Sequence, residues 1–234
     1  MIASVHFADV GVVKALRSQT RAPKPSNVAG LRWARMGFGA PLGPELLPKP
    51  DFRRLALMAF WDDDAALDRF LGEHPLAGSF AGGWSVRLEP LRHHGTWPGL
   101  DEGIPIARKV AHDGPVAAIT LGRLRISQGR RFLRASAKAE QAVLDAPGRI
   151  FATGFGSPPI VSTVSLWASS DALAAYAYAS ADDSHPSAIR EGREQPFHKQ
   201  EAFIRFRPYA SVGSLGGANP LAADWMGSEI PSGR

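Results

Sequence analysis

Four short stretches of this chain occur twice in the same order, and that internal echo constrains the fold more than any single motif. Met36-Gly37-Phe38-Gly39-Ala40-Pro41 is echoed by Thr153-Gly154-Phe155-Gly156-Ser157-Pro158. Phe60-Trp61, with Leu67 six residues on, is echoed by Leu166-Trp167 with Leu173. Glu73-His74-Pro75 returns as Ser184-His185-Pro186, and the strand-like Trp84 to Pro90 as Ala202 to Pro208. The offsets are about 117, 106, 111 and 118 residues, so order is kept and only loop lengths drift. Two copies are too few for a solenoid, which needs three or more stacked units. A pair of similar subdomains packed on each other is the expectation, with a pocket between them as the default site.

Each half reads as strand, helix, strand, strand, helix, strand. In the first, Ser4 to Val10, Leu31 to Phe38 and Arg54 to Trp61 are predicted strands. Val12 to Ser18 is a short helix, and Asp62-Asp63-Asp64 caps a second helix carrying Leu67, Phe70 and Leu71. Acidic residues at a helix N-terminus are stabilised by its dipole, so this run reads as a cap rather than a metal site. Prolines mark Arg21 to Asn27 as a loop and Pro41 to Pro50 as an excursion. In the second half, Pro115 to Gly122 is a β-branched strand, and Ser127 is the expected cap of a helix with a Phe132, Ala135, Ala139, Val143 stripe. Arg149 to Phe155 and Ile160 to Trp167 are strands, Ser169-Ser170-Asp171 caps the next helix, and Ala202 to Arg207 alternates as a half-exposed strand should.

The predicted fold class is therefore α+β: tandem ferredoxin-like repeats, βαββαβ twice, closing into a single-chain version of the dimeric α/β barrel. The boundaries place the first repeat at 1–91, a linker at 92–114, the second repeat at 115–210 and a flexible tail at 211–234.

The chain has no cysteine, which removes thiolate nucleophiles, cysteine-held zinc, iron–sulfur clusters and a cysteine-ligated haem. Its charge of +5 is spread in short runs such as Arg130-Arg131, so a nucleic-acid partner is not expected. No apolar run is long enough to span a bilayer, and the N-terminus lacks a signal peptide's pattern. A cytoplasmic protein, peripheral to the membrane at most, is the expectation. Gly37-Phe38-Gly39 and Gly154-Phe155-Gly156 end strands and precede prolines, so they are not phosphate loops. Neither Gly-x-Ser-x-Gly nor His-Glu-x-x-His occurs, which argues against familiar hydrolases.

Of seven histidines, His6 reads as a strand residue, while His93, His94 and His112 read as surface or linker groups. His74 and His185 end the second helix of each half, where a helix dipole alone can hold an imidazole. His185 has the richer setting, with Arg190, Phe197, His198 and the strand Phe203-Ile204-Arg205-Phe206 close behind it.

His185-Pro186 with Ala188-Ile189-Arg190, then Phe197 and Glu201 to Phe206, resembles the closing segment of spheroidene monooxygenase-type proteins. Gly114 to Thr120 and Val164-Ser165-Leu166-Trp167 are similar as well, so the resemblance covers most of 115–208 and is weaker in the first half. It implies a haem-dependent monooxygenase acting on an apolar, carotenoid-like molecule, with a ferredoxin as a candidate electron donor and a homodimer as a candidate assembly. By position, His185 becomes the haem b ligand, with His198 as runner-up. Phe155, Trp167 and Phe203 would flank the porphyrin, and Arg190 and Arg205 would pair its propionates, since a guanidinium matches a carboxylate at two points.

Two other readings compete. One is a cofactor-free monooxygenase whose cavity is lined by Trp33, Trp61, Trp84 and Trp167. The other is a non-catalytic barrel that binds haem or another apolar ligand.

Overall fold

The structure, a computed structural model, describes residues 1–43, 45, 49–100, 103–105, 112–179 and 196–221, without the side chains of 138, 178 and 179. Eight strands form one closed antiparallel barrel. The elements are β1 (Ile2–Asp9), α1 (Val12–Gln19), β2 (Leu31–Ala40), β3 (Asp51–Trp61), α2 (Asp64–Glu73) and β4 (Trp84–Thr96). They continue with β5 (Val116–Leu124), α3 (Gly129–Asp145), β6 (Arg149–Ser157), β7 (Ile160–Trp167), α4 (Ser170–Ala179) and β8 (His198–Gly213). Strand–helix–strand–strand–helix–strand therefore occurs twice.

Around the barrel the order is β1-β3-β2-β6-β7-β5-β8-β4. The two halves thus run β4-β1-β3-β2 and β8-β5-β7-β6, and two seams join them. The β4–β8 seam is long, from Trp84↔Gly213 to Thr96↔Glu201. The β2–β6 seam is only Phe38–Ala40 against Gly154–Gly156. Backbones approach closely there: a Cβ added to Gly37 would sit 2.6 Å from the Gly156 carbonyl carbon, so only glycine fits.

Alternation along each strand sorts the side chains. Val5, Phe7, Met58, Phe60, Trp84, Val86, Ile119, Leu121, Val164, Ile204 and Phe206 fill the barrel interior. A second core lies outside the barrel wall, where Leu55, Leu57, Ala59 and Trp61 of β3 meet Ala15 of α1 and Ala66, Leu67 and Phe70 of α2. The caps follow the sequence in two cases of three. Asp63 accepts the Ala66 amide at 2.9 Å, and Ser169 accepts the Ala172 amide at 3.1 Å. Ser127 does not cap α3, because a single 3₁₀ turn, Ile126–Gln128, occupies that place and Gln128 precedes the helix without a side-chain bond.

Two further expectations change. Arg92 to Thr96, expected in a linker, extend β4 by pairing with β8. Ser211 to Gly213, expected in a tail, complete β8, where the Ser211 hydroxyl accepts the Trp84 indole at 2.8 Å. Leu221, a residue by which the tail could dock, is buried in the interior cluster. In each case long-range strand pairing or burial supplies a partner that local composition does not reveal.

The first echo also fails as a structural equivalence. Phe38 lies against Phe52, with the outer core, whereas Phe155 meets Phe7 edge-on inside the barrel, at 5.9 Å. Side chains alternate with period two along a strand, so an echo one residue out of structural register puts its aromatics on opposite faces. The Trp61/Trp167 and Trp84/Ala202 echoes do keep theirs.

Candidate functional site

The outer face of the second half differs from that of the first in one respect, the size of its residues. Thr120 and Gly122 of β5, Ala152, Gly154 and Gly156 of β6, and Thr163 and Ser165 of β7 make a floor of small side chains. The first half puts Met36, Leu55, Leu57 and Trp61 on that face, and its helices pack directly on them. Above the small floor α3 stands away from the sheet: of its described side chains only Ala137 is buried. Between them lies a largely apolar cavity of about 470 Å³. Its walls are Phe132, Leu133 and Val143 of α3, Tyr176 of α4, and Pro41, Leu42 and Pro50 of the proline-rich excursion.

That excursion is held in place by one carboxylate. Glu140 of α3 accepts the Gly43 amide at 3.1 Å through one oxygen and the Ser136 hydroxyl at 3.0 Å through the other. The N-terminal half of the chain thereby walls a cavity floored by the C-terminal half.

His198 stands at the cavity's rim. Its Nδ1 lies 3.1 Å from a Glu201 carboxylate oxygen, which in the neutral ring fixes the proton on Nδ1 and leaves the Nε2 lone pair free. The ring meets Phe132 edge-on at 5.4 Å. Nε2 lies over Gly122, close enough that a Cβ there would be 2.6 Å away. A planar apolar group would lie flat on the small-residue floor. His198 is the only described histidine lining the cavity.

The residues singled out by the sequence divide. Phe155, Phe203 and His198 border the cavity. Phe155 contributes from the inner face, and Phe203 is 46% exposed and stacked with His94. Trp167 does not line it: it is fully buried under α4, stacked on Tyr176 at 5.0 Å, with its indole donated to Ser165 at 2.9 Å. Arg205 pairs with Ala118 and Arg92 outside the cavity lining. His185 and Arg190 lie outside the described residues. The four tryptophans expected to share one chamber do not, because Trp33 and Trp84 face the interior while Trp61 and Trp167 face the helices. His74 is structural, accepting the Leu76 amide at 3.2 Å and stacking on Phe70.

The sequence missed a polar cluster inside the barrel. Arg35 of β2 pairs with Met58, Arg123 of β5 with Ile160, and His93 of β4 with Ile204, so all three share the inner face, as does Ser162 of β7. Arg35 Nε, Arg123 Nε, His93 Nδ1 and Ser162 Oγ are buried without hydrogen-bond partners among the described residues. Burial, and then the neighbouring Arg123 charge, hold the Arg35 guanidinium below its usual range. His93 is thus a half-buried interior group, not the surface residue its loop-like setting suggested. Only register could place it there, since His94 beside it faces out.

Among proteins of known name, this chain is 30% identical to the spheroidene monooxygenase of Rhodobacter capsulatus over 194 residues, 79% of each chain. It is 31% identical to that of Rubrivivax gelatinosus over 191 residues, 79% of this chain and 71% of the relative. This chain belongs to the spheroidene monooxygenase family. A third member, from Cereibacter sphaeroides, is 27% identical and is covered over 58% of its length. No family model matches the chain. Solved structures are more distant. An aldoxime dehydratase bound to butyraldoxime shares 12% identity over 88% of this chain and 79% of its own, with a TM-score of 0.46. A monooxygenase-like protein from Listeria innocua shares 13% over 89% and 96%, with a TM-score of 0.30. Likenesses this loose carry no chemistry across. Among the described residues, no helix is long and apolar enough to cross a membrane, and no three potential metal ligands cluster.

Proposed function

We propose that this protein is a haem-dependent monooxygenase that oxidises an apolar, carotenoid-like small molecule in the cavity beneath α3. The observation that carries the reading is the contrast between the two outer sheet faces. One is packed solid with Leu55, Leu57 and Trp61; the other is floored by glycine, alanine, serine and threonine and leaves about 470 Å³ open. That volume lies within the usual range of about 300–1,000 Å³ for small-molecule sites. Packed interiors rarely leave such a space without a use for it. Family membership supplies the oxygenase chemistry, and the absence of cysteine leaves histidine as the natural axial ligand for iron.

In this reading haem b, when bound, supplies oxygen activation, and the chain does the rest. The floor residues accept a flat ring face. Phe132, Leu133 and Val143 exclude water, and Glu140 holds the proline-rich wall closed over the site. His185 is the first candidate ligand and His198 the second. The Glu201 carboxylate already fixes the tautomer of His198 in the manner of a ligating histidine. The pairing of propionates by Arg190 and Arg205, reduction by a ferredoxin and homodimer formation belong to the same proposal. So does the origin of the two halves as copies of one ferredoxin-like module.

The test is optical. Protein produced with haem supply should show a Soret band that His185→Ala abolishes or shifts while His198→Ala changes it less. A colourless protein that gives no Soret band on haem titration overturns the haem assignment. Oxygen uptake by the metal-free protein with an electron-rich phenol would then favour the cofactor-free route.

A further inference from the structure

Helix α1 is turned the wrong way for a helix of a globular core. At about 3.6 residues per turn, Ala15, Ser18 and Gln19 share one face and Val13, Leu16 and Arg17 the opposite one, with Val12 and Lys14 on its flanks. The structure buries the first set. Ala15 is fully buried, Ser18 is 6% exposed, and Gln19 donates to the Gly37 carbonyl at 3.1 Å. The aliphatic set faces solvent, with Val12 44%, Val13 62% and Leu16 51% exposed. An amphipathic helix normally puts its apolar stripe on the core. Here the stripe is offered outward.

What surrounds it is basic. A groove of about 1160 Å³ runs between α1, the Thr20–Asn27 loop and the His74–Ser79 turn, and its lining includes Lys14, Arg17, Arg21 and Lys24 with no aspartate or glutamate. Arg17, Arg21 and Lys24 make none of the described salt bridges. Aliphatic side chains ringed by lysine and arginine on a short helix match the interface of an anionic bilayer. There the apolar residues sit among the upper acyl carbons, and the cations reach the phosphates. A protein partner is the poorer match. Interface cores favour aromatic residues and disfavour lysine, and this outward face holds no aromatic.

We infer that α1 and the adjoining basic groove dock the protein on an anionic phospholipid surface, with Val13 and Leu16 inserted and Lys14, Arg17, Arg21 and Lys24 against headgroup phosphates. This rests on the reading of an apolar substrate, which would be dissolved in that bilayer.

The full chain should sediment with vesicles of phosphatidylcholine mixed with phosphatidylglycerol, and much less with phosphatidylcholine alone. Raised salt should release it, as screening weakens each phosphate contact. Val13→Ser with Leu16→Ser, and separately Lys14→Glu with Arg17→Glu, should each lower the partition coefficient about tenfold or more. All four side chains are exposed, on the outward face or its flank, so circular dichroism and haem uptake should not change. Turnover of detergent-dispersed substrate by V13S/L16S should also be unchanged. Loss of that turnover in every form, wild type included, would count against the oxygenase reading and leave the docking result standing. Equal binding to neutral and anionic vesicles, no binding to either, or binding that survives both double variants overturns the inference. Salt-sensitive capture by an immobilised acidic protein, with vesicles ignored, would do the same and give the face to a protein partner.

Discussion

The imidazole of His198 rests on the bare backbone of Gly122, so close that a methyl group at residue 122 would lie 2.6 Å from Nε2. Glu201, the pairing partner of Gly122 across β5 and β8, is the carboxylate that holds the other ring nitrogen. One strand register therefore fixes both the height and the tautomer of the histidine at the cavity rim.

Gly122→Ala must push that ring out of place. The expected cost is about 1–3 kcal/mol of stability, the usual range for overpacking, measured by denaturant unfolding. In a His198→Ala background the same change should cost much less. Equal costs in both backgrounds would mean the ring is not what fills the space above Gly122.

Filling the floor should silence the cavity without unfolding the protein. Ala152→Leu projects a larger side chain from β6 into the space beneath α3. Affinity for haem or for an apolar fluorescent probe should fall about tenfold, the scale of a little over 1 kcal/mol of lost fit, while the melting temperature holds or rises. Undiminished binding would place the ligand elsewhere.

The protein should lose stability in mild acid through His6. Burial, and secondarily the Arg87 charge, lowers its pKa from 6.5 to about 4, and its Nε2 is paired with the Ser4 hydroxyl, which also accepts the Trp61 indole. Because the unfolded chain takes up the proton first, this contribution is intact above pH 6.5. It is lost as pH falls towards 4, by about 3 kcal/mol in all. His6→Gln should flatten stability against pH across that window; an unchanged slope would assign the effect to other groups.

Arg35 and Arg123 share the barrel interior with their Nε atoms unsatisfied, and among the described residues no carboxylate pairs with either. Arg123→Met keeps much of the volume and removes one buried like charge. It should raise stability by about 1 kcal/mol in thermal or urea unfolding. A large loss instead would show that the guanidinium is bonded in solution.

Much of the fold was legible because its signals are local. An unbroken apolar run in Leu55 to Trp61 and alternation in Ala202 to Phe206 mark strands, Asp63 and Ser169 announce helix starts, and Pro147-Gly148 ends α3, all within a few residues of sequence. The site was legible only in part. Phe203 and His198 do border the cavity, but Trp167 and Arg205, on the same sheet face two residues from such positions, lie outside its lining. His93 inside and His94 outside differ by one step of a strand whose partner, β8, begins about a hundred residues later. No local pattern carries that information.

Composition and periodicity by themselves determined the succession of strands and helices and the absence of thiolate chemistry, and sequence similarity over most of the chain determined the family to which it belongs. These depend on residue types and short spacings. Tertiary structure alone decided that β2 meets β6 and β4 meets β8, and that one outer sheet face is filled while the other is left open. It also decided that α1 presents Val13 and Leu16 to solvent. Each of these follows from which distant backbone is paired and which face is thereby covered, and closing the barrel is what fixes both.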